Sequence, residues 1–397
     1  MRLRSEHGHL TYCTNIHAAD SWPDVLAGLR EHLPEIKATV SRDSPFGVGL
    51  RVSASASEAL KEPAALAELR SLLDEGDYYI FTINGFPYGA FHGEPVKQGA
   101  YRPDWGDPAR LSYSNDLADL LAALLPNGID EGSVSTVPCT FKPWANDELL
   151  RAIVDNLINH VAHLTAVQER TGKTVVLALE PEPYCLLETI EEAVAFFKSH
   201  LLGVAAVARL SGLTGMSQDD ALAALKRHLG LCYDVCHAAV EFEDARASLK
   251  LLRDADIKIA KVQLSSALRI PNVSPATLGQ LKPFDEPVYL HQVVQRKGGR
   301  LKRYMDMVDA FAAFEDAADT EWRIHFHVPI FLDSLKDFGT TQEFLKEILA
   351  IHRESPITNQ LEVETYTWDV LPERYRDLGV AAAIAREISW VMDELER

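Results

Sequence analysis

Short apolar runs alternate with amphipathic segments along almost the whole chain, and this alternation is the feature that most constrains the fold. Nine runs predict strands: 10–17, 46–53, 78–85, 133–138, 175–180, 229–234, 259–264, 323–331 and 361–368. Most of the runs are continuously apolar, which is typical of parallel strands covered by helices. The intervening segments predict helices: 21–40, 57–75, 146–171, 188–200, 244–254, 301–318, 340–353 and 373–396. Ser21 is a candidate N-cap, and Gly76 and Gly172 are candidate C-caps.

Strands that alternate with helices favour a parallel α/β fold, either a closed barrel or an open doubly wound sheet. An open sheet usually has a glycine-rich phosphate turn after its first strand. The corresponding segment here, TNIHAADSW, has no glycine, and no G-x-x-x-x-G-K-[ST] motif occurs. We therefore predict a (β/α)8 TIM barrel, as a single domain over 1–397. Because nine runs exceed eight strands, one run belongs to an extra strand–helix element, and the pattern does not tell which.

Two long connections are predicted as insertions at the C-terminal face of the barrel. The first, 84–110, is rich in glycine, proline and aromatic residues, and forms either a lid over the active site or a packed surface loop. Its candidate stacking residues are Phe86, Tyr88, Phe91, Tyr101 and Trp105. The second, 265–300, ends in the basic string QRKGGRLKR. Its residues Arg296, Lys297, Arg300, Lys302 and Arg303 either receive a phosphate or carboxylate or begin a solvated helix.

Charge and cysteine content restrict the partners and the compartment. The 397 residues include 39 basic and 58 acidic side chains, a formal net charge of −19. This balance disfavours nucleic acid and anionic membranes as partners and leaves a small-molecule substrate. The five cysteines are odd in number and form no C-x-x-C pair, which favours a reducing compartment. Without a signal-peptide pattern or a long apolar run, we expect a cytoplasmic protein, and the sequence leaves open whether it forms a homo-oligomer.

Carboxylates and histidines stand at the ends of the late predicted strands, where a barrel of this kind carries its catalytic residues. Carboxylates are rarely buried without a partner, so several of them around one barrel axis predict a divalent metal site. The candidate ligands are Glu180, Asp234, His237, Gln263, His327 and Glu364. Strand alternation places Glu362 and Glu364 on one face and His325 and His327 on one face. We prefer the second residue of each pair, because it lies nearer the C-terminal end.

Several of these residues also have a simpler interpretation. Glu182 is readily explained as a loop carboxylate, His237 as a partner of a ligand, and Gln263 as a side chain that satisfies backbone groups inside the barrel. The ends of the early strands, the first long loop and the last run supply candidate substrate-binding residues: His17, Arg51, Asn84, Phe86, His92 and Trp368. The expected cofactor is one divalent ion: Mn²⁺, Zn²⁺, Co²⁺ or Mg²⁺.

The set Glu180, Asp234-Val-Cys-His237, Gln263 and Glu364 resembles the xylose isomerase-like barrels, which include sugar isomerases, ketose 3-epimerases and an abasic-site endonuclease. That resemblance implies that late strands hold one divalent metal. The strings TYCTNIH, TINGFPYGAFHG, STVP, HFHVP and EVETYTW resemble the EboE family of metabolite traffic proteins over most of the chain. This second resemblance implies a bacterial biosynthetic or export-linked operon. The chain departs from the sugar-enzyme pattern because Gln263 stands where a histidine is usual.

Three functions fit these observations. The first is a metal-dependent isomerase or epimerase acting on a sugar, a polyol or a related hydroxy-carbonyl compound, with Glu180 and Glu364 as the catalytic pair that moves the proton. The second is metal-assisted hydrolysis of a phosphoester by a multi-metal cluster that recruits more histidines. The third is a non-catalytic carrier that holds a biosynthetic metabolite in the same pocket.

Overall fold

Eight parallel strands and an antiparallel second sheet make up the β-structure of the computed structural model, which describes residues 1–4, 7–93, 95–315, 319–336, 338–373 and 379–397. In chain order, the strands among these residues are β1 (His9–Tyr12), β2 (Phe46–Arg51), β3 (Tyr78–Asn84), β4 (Glu131–Thr136), β5 (Thr174–Leu179), β6 (Leu229–Asp234), β7 (Lys258–Leu264), β8 (Ala267–Ile270), β9 (Val293–Lys297), β10 (Arg300–Tyr304), β11 (Thr320–His327), β12 (Ser334–Leu335), β13 (Phe338–Thr340) and β14 (Gln360–Val363).

The parallel strands have the order β1-β14-β7-β6-β5-β4-β3-β2, so the strands of the sheet run around a nearly closed barrel. A single parallel bridge between Cys13 and Gly49 joins the two end strands. Helices follow the strands and cover the outside of the barrel, whose strands are almost wholly buried. The predicted TIM barrel is therefore confirmed.

The α-helices of the described residues alternate with these strands along the chain. They are α1 (Trp22–Val40), α2 (Ala54–Ala59), α3 (Pro63–Gly76), α4 (Pro108–Leu124), α5 (Asp147–Thr171), α6 (Ile190–Phe196), α7 (Val204–Thr214), α8 (Gln218–His228), α9 (Val235–Val240), α10 (Ala245–Asp254), α11 (Pro275–Leu281), α12 (Met307–Ala312), α13 (Gln342–Glu354) and α14 (Val380–Glu396).

The extra strand run is 323–331, because the other eight runs all contain barrel strands. This run contains most of β11, which pairs antiparallel with β8 and β9 in a six-stranded sheet of order β10-β9-β11-β8-β13-β12. We call this sheet the cap sheet. It has its own apolar core around Trp322, Phe326 and Phe284. The insertion predicted at 265–300 therefore forms part of a folded layer that continues through β13.

Capping residues in the sequence predicted some helix ends correctly and missed others. Ser21 accepts a hydrogen bond from the Asp24 amide in a capping box, and Gly172 ends α5 with a left-handed φ of 73°, both as predicted. The prediction for 57–75 was wrong in detail, because Pro63 begins a separate helix and the left-handed cap is Asp77. The prediction for 301–318 was wrong at its start, where β10 pairs with β9. Its end at 316–318, and 374–378 of the last predicted helix, lie outside the described residues.

No single helix of the described chain is long and apolar enough to cross a membrane. One helical pair, Ile190–Leu201 with Val204–Thr214, reaches the required length and composition only in combination, with a bend of 53°.

Candidate metal centre

Three buried carboxylates converge at the carboxyl ends of the barrel strands. Glu180 follows β5, Asp234 ends β6 and Glu364 follows β14. One carboxylate oxygen from each of the three lies within 4.8 Å of the other two. All three side chains are nearly inaccessible to solvent. The parallel topology accounts for this meeting, since it brings residues far apart in sequence to one end of the barrel.

Fixed donors orient two of the three carboxylates. The side-chain amides of Asn15 and Asn84 both donate to Glu364 Oε1, over 2.8 Å and 2.9 Å. The Ser265 hydroxyl donates to Asp234 Oδ1 over 2.8 Å, and the His237 backbone N–H donates to the same atom over 3.0 Å. The latter bond caps α9, so the turn that begins this helix also fixes Asp234.

Two of the three carboxylates, together with one imidazole nitrogen, have a buried atom without a hydrogen-bond partner. Glu180 Oε2 and Asp234 Oδ2 are buried and have no hydrogen-bond partner among the described residues, and the same holds for His327 Nε2. His327 Nδ1 lies 2.8 Å from the Glu364 carbonyl oxygen, which assigns the ring proton to Nδ1 and leaves the Nε2 lone pair free. Buried oxygen and imidazole donors without partners fit a divalent cation, since burying them unpaired is costly.

The electrostatics of the centre also favour a cation. Burial raises the pKa of Glu180 well above its usual value, and the nearby Glu364 and Asp234 carboxylates raise it further. Burial and Asp234 likewise raise the pKa of Glu364. Burial acts in the same direction on Asp234, but His237, His327 and the hydrogen bonds to its Oδ1 atom bring its pKa below the usual value. Burial lowers the pKa of His327 to about 4, so the ring is neutral near pH 7.

A second group of donors lies beside the first. One ligand atom each of Glu182, His237 and His325 falls within 4.8 Å of the others. His237 Nδ1 lies 3.0 Å from the Pro181 carbonyl oxygen, and His325 Nδ1 lies 2.7 Å from Gln292 Oε1. Each Nδ1 therefore carries a proton, and the two Nε2 atoms face each other at 3.0 Å.

Gln263 lies inside the barrel and is fully buried. Its Oε1 atom accepts from the Cys232 thiol at 2.6 Å, and its Nε2 atom has no partner among the described residues. A glutamine coordinates a metal through its oxygen. In this orientation of the amide, that oxygen is already used, whereas His327 Nε2 has no partner among the described residues and one ring nitrogen of His327 lies within 4.8 Å of ligand atoms of Asp234 and His237.

A pocket with aromatic walls opens onto the centre. It holds about 530 Å³ of space, counting its mouth, although the centre of a water molecule can reach only about 50 Å³ of it. Glu180, Glu182, His237, His325 and Glu364 form its floor. The first long loop supplies Phe86, Phe91 and Tyr101 to its walls, the segment before β9 supplies Tyr289, and the turn after β14 supplies Tyr366.

No family model and no curated protein match the chain. Its structural neighbours include the IolI protein with a binding zinc atom (TM-score 0.45, 14% identity, 98% of this chain and 97% of that chain). A xylose isomerase domain containing protein from Salmonella typhimurium has a TM-score of 0.39 at 10% identity and 100% of both chains. The apo form of 3-keto-D-glucoside 4-epimerase from E. coli has a TM-score of 0.34 at 15% identity, over 64% of this chain and 78% of that chain.

One of these neighbours is thus named as an epimerase, another as a protein with a xylose isomerase domain, and the third as a protein that binds zinc. Because their TM-scores are below 0.5, the site of this chain is interpreted from its own geometry. The assignment to the EboE family is not confirmed, because no family model matches.

Of the predicted substrate-binding residues, Asn84 and Phe86 line the pocket. His92 does not line it but supports its wall, since Nε2 contacts the Asn15 carbonyl at 2.5 Å and Nδ1 contacts the Tyr289 hydroxyl at 2.7 Å. The first loop thus contributes to the pocket through Phe86, Phe91 and Tyr101, whereas Tyr88 and Trp105 pack elsewhere.

The structure places His17, Arg51 and Trp368 outside this pocket, contrary to the expectation that they contact substrate. His17 stacks on His32 with ring centroids 4.1 Å apart. The Arg51 guanidinium donates to the carbonyl oxygens of Ala19 and Gly89. Trp368 is buried in the main apolar core. Each of the three therefore stabilises the fold around the barrel end.

Sequence reasoning did not assign roles to Asn15, Ser265, Tyr289 or Tyr366. Asn15 was visible as a polar residue at the end of the first strand, and Ser265 directly follows the seventh. Tyr366 follows β14 and was visible as an aromatic residue of the last predicted run, whereas Tyr289 lies in the segment before β9, where no local pattern signals its contact with the pocket.

Proposed function

We propose that this chain is a metal-dependent isomerase or epimerase of a small hydroxy-carbonyl metabolite, such as a sugar or polyol. The observation that carries the proposal is the meeting of Glu180, Asp234 and Glu364, two of which present buried oxygens without partners. Burying three carboxylates together is unfavourable unless a cation offsets their charge. The small aromatic pocket above them suits a substrate of a few carbon atoms.

Glu180, Asp234 and Glu364 would hold the cation, with His327 Nε2 as the nitrogen donor. Three oxygens and one imidazole suit Mn²⁺, Zn²⁺, Co²⁺ or Mg²⁺. When bound there, the ion supplies Lewis acidity toward adjacent oxygens of the substrate. The two amides on Glu364 Oε1 keep that carboxylate in one orientation during the reaction.

Proton transfer is assigned to Glu180 and Glu364, which flank the centre from separate strands. One carboxylate takes the proton from the carbon beside the carbonyl, and the other, which is protonated, gives its own proton to the opposite face or to the neighbouring carbon. Glu180 suits this role because its Oε2 has no partner among the described residues and because burial raises its pKa. The aromatic walls exclude water from the exchange.

Metal analysis of Glu364→Gln and Asp234→Asn tests the proposal, with Glu347→Gln on an exposed helix face as the matched control. We expect the parent and the control to bind about one divalent ion per chain, and both site variants to bind it at least about tenfold more weakly. Circular dichroism and thermal unfolding check that the variants are folded. Unchanged metal affinity in folded Glu364→Gln would contradict the assignment.

A second candidate function is hydrolysis of a small phosphoester with more than one metal ion. It is favoured by the second donor group, in which the Nε2 atoms of His237 and His325 face each other beside Glu182. Metal stoichiometry separates the two functions. Two or three ions per chain, with the second lost in His325→Ala, support hydrolysis.

The resemblance to the EboE family remains part of this proposal and implies a biosynthetic or metabolite-traffic operon. A reducing compartment such as the cytoplasm also remains part of it, because the five cysteines are free and buried. Incubation of metal-loaded protein with candidate sugars separates an enzyme from a carrier. Binding of a candidate sugar without its conversion to an isomer or epimer, followed by proton NMR, would support the carrier function instead.

A further inference from the structure

Three arginines on neighbouring strands of the cap sheet converge on one glutamate. Arg269 lies on β8, Arg296 on β9 and Arg323 on β11, the strand between them. Glu321 Oε1 accepts from Arg269 Nε at 2.8 Å and from Arg323 Nε at 3.0 Å, and its Oε2 accepts from Arg296 Nη2 at 2.7 Å. The register explains the cluster, because Arg296 pairs with Glu321 and Arg269 pairs with Arg323.

This cluster has more positive charge than its carboxylate can offset. Three guanidinium groups share the two oxygens of Glu321, and no other carboxylate of the described residues lies within 4.0 Å of them. Each guanidinium has five N–H donors, of which Glu321 takes only one. Arg323 gives one more to the Ala239 carbonyl at 2.5 Å. Donors of all three arginines therefore remain for a further acceptor.

The arginines line a groove that is open to small molecules. The groove has about 400 Å³ that water can enter, and it shares no lining residue with the pocket over the carboxylates. The Phe242 ring packs against two of the guanidinium groups, with Arg323 at 3.9 Å and Arg296 at 4.4 Å from its centroid. This contact restricts the arginines without using their donors, since the interaction is with the ring face.

The first turn of α13 adds to the same groove. Thr340, Thr341 and Glu343 line it. The Thr341 hydroxyl accepts from the Ala267 amide at 2.8 Å and makes no capping bond, and the Thr340 hydroxyl accepts from the Gln342 amide at 3.3 Å. Glu343 in the first turn offsets part of the positive charge of this helix N-terminus, so the guanidinium groups are the main donors for an anion.

Acidic residues on the opposite wall are bonded elsewhere. Glu243 accepts from the Ile190 amide at 2.7 Å, and Asp244 accepts from the Ala247 amide at 2.8 Å. Glu347 lies 3.7 Å from Arg246. Their charges still repel a long polyanion that would fill the groove, so the geometry selects a compact anion that stays close to the arginines.

We infer that this groove is a binding site for a phosphoryl group, held by Arg269, Arg296 and Arg323. Planar guanidinium groups match the oxygens of a phosphate, and all three line the same groove with N–H donors that Glu321 does not use. The ligand is inorganic phosphate or the phosphomonoester of a small metabolite. The site is separate from the metal centre and does not depend on the proposed isomerase activity.

Calorimetric titration of the full-length protein with inorganic phosphate, at fixed ionic strength, tests the inference. We expect saturable binding that Arg296→Gln weakens about tenfold or more, since it removes a charged donor. Arg300→Gln, an exposed position on the adjoining β10, is the matched control and should leave the affinity unchanged. Glu321→Gln should bind phosphate more tightly, because it removes the competing carboxylate.

Titration with glycerol 1-phosphate and with glycerol separates the two sources. Binding of glycerol 1-phosphate but not glycerol identifies a site for phosphomonoesters, and binding of inorganic phosphate alone identifies a site for the free ion. Absence of saturable phosphate binding would overturn the inference. So would equal affinity in folded Arg296→Gln, which is the result expected if phosphate bound at the metal centre.

Discussion

At the scale of single residues, the buried pair of Lys261 and Glu362 lies inside the barrel on the N-terminal side of the carboxylate centre. Both side chains are fully buried and form an ion pair. Strand alternation puts them one inward position before Gln263 and Glu364, towards the N-terminal end of the barrel. The Lys261 charge lowers the pKa of both Glu180 and Glu364, against the larger effect of burial.

Replacing Lys261 should therefore be costly on its own. Lys261→Met leaves the Glu362 carboxylate buried without its partner, and we expect a loss of about 3–5 kcal/mol in the free energy of unfolding. The double variant Lys261→Met, Glu362→Leu should recover most of that loss. Urea denaturation of the three proteins measures both effects. If Lys261→Met were as stable as the parent, the Glu362 carboxylate would not be left charged and unpaired in the folded variant.

Glu387 on α14 should make stability depend on pH. It is buried and accepts from the Thr365 hydroxyl at 2.7 Å and the Ile330 amide at 3.1 Å. Burial raises its pKa to about 7, against the usual 4.5. Its contribution to stability is thus complete below about pH 4.5 and is lost as the pH rises through 7, by roughly 3 kcal/mol in total.

Glu387→Gln removes this titration while it keeps both hydrogen bonds. We expect the variant to be more stable than the parent at pH 8 and equally stable at pH 4.5, measured by urea denaturation. Glu396→Gln, on the exposed end of the same helix, is the control. If the free energy of unfolding differed between variant and parent by the same amount at both pH values, Glu387 would not be neutralised by burial.

The sequence was sufficient to predict which carboxylates lie close together, but not how the side chains at the ends of the first strands are oriented. Glu180, Asp234 and Glu364 each follow an apolar strand, so the barrel topology alone brings them together. Arg51 also ends a strand, yet its guanidinium bonds two loop carbonyls outside the pocket. Loop positions decide that orientation, and strand pattern carries no information about them.

At the scale of elements, the first long loop contacts the segments before β9 and after β10 of the cap sheet, and we call this contact at the pocket the seam. The amides of Val96 and Lys97 donate to the Val288 carbonyl at 2.8 Å and 3.0 Å. Lys97 Nζ forms an ion pair with Asp306 at 2.7 Å. Because Val96 and Lys97 also line the pocket, opening this seam widens its mouth.

Lys97→Gln should loosen the seam and speed access to the centre. The ion pair is partly exposed, so we expect its loss to raise the rate at which a chelator removes bound metal by up to about tenfold, with little change in metal affinity. Lys250→Gln, whose ammonium pairs with Asp254 on an exposed helix, is the control. An unchanged removal rate would place the route to the metal elsewhere.

Apolar pattern identified the strand runs but could not assign their partners. The run 323–331 looks like a barrel strand because its apolar pattern resembles that of the other runs, yet β11 pairs antiparallel with β8 and β9. The string 300–304 resembles a helix start because it is charged, yet it is the second strand of a hairpin. Pairing over a long sequence separation decides the first case, and local propensity does not record it. The second case is local, because the hairpin turns at Gly298 and Gly299, whose φ angles are 55° and 76°.

At the scale of the whole molecule, the barrel closes through side chains at the junction of β1 and β2. The Thr11 hydroxyl donates to the Gly47 carbonyl at 2.8 Å and accepts from the Gly49 amide at 2.9 Å, in place of a backbone ladder. Gly49 permits this approach, since a Cβ there would lie 2.6 Å from the Tyr12 carbonyl oxygen. Asn15 follows β1, and Asn84 ends β3, the neighbour of β2; both orient Glu364.

Closure at Thr11 should therefore affect both stability and the metal centre. Thr11→Val keeps the shape but leaves a buried amide and carbonyl without a partner, so we expect a loss of about 1–3 kcal/mol in the free energy of unfolding. Faster hydrogen exchange at the Gly49 amide and weaker metal binding should accompany it, because Asn15 follows the same strand. Thr39→Val, on an exposed helix face, should change none of the three. If Thr11→Val lost stability but retained metal affinity, the closure would support the fold without positioning the site.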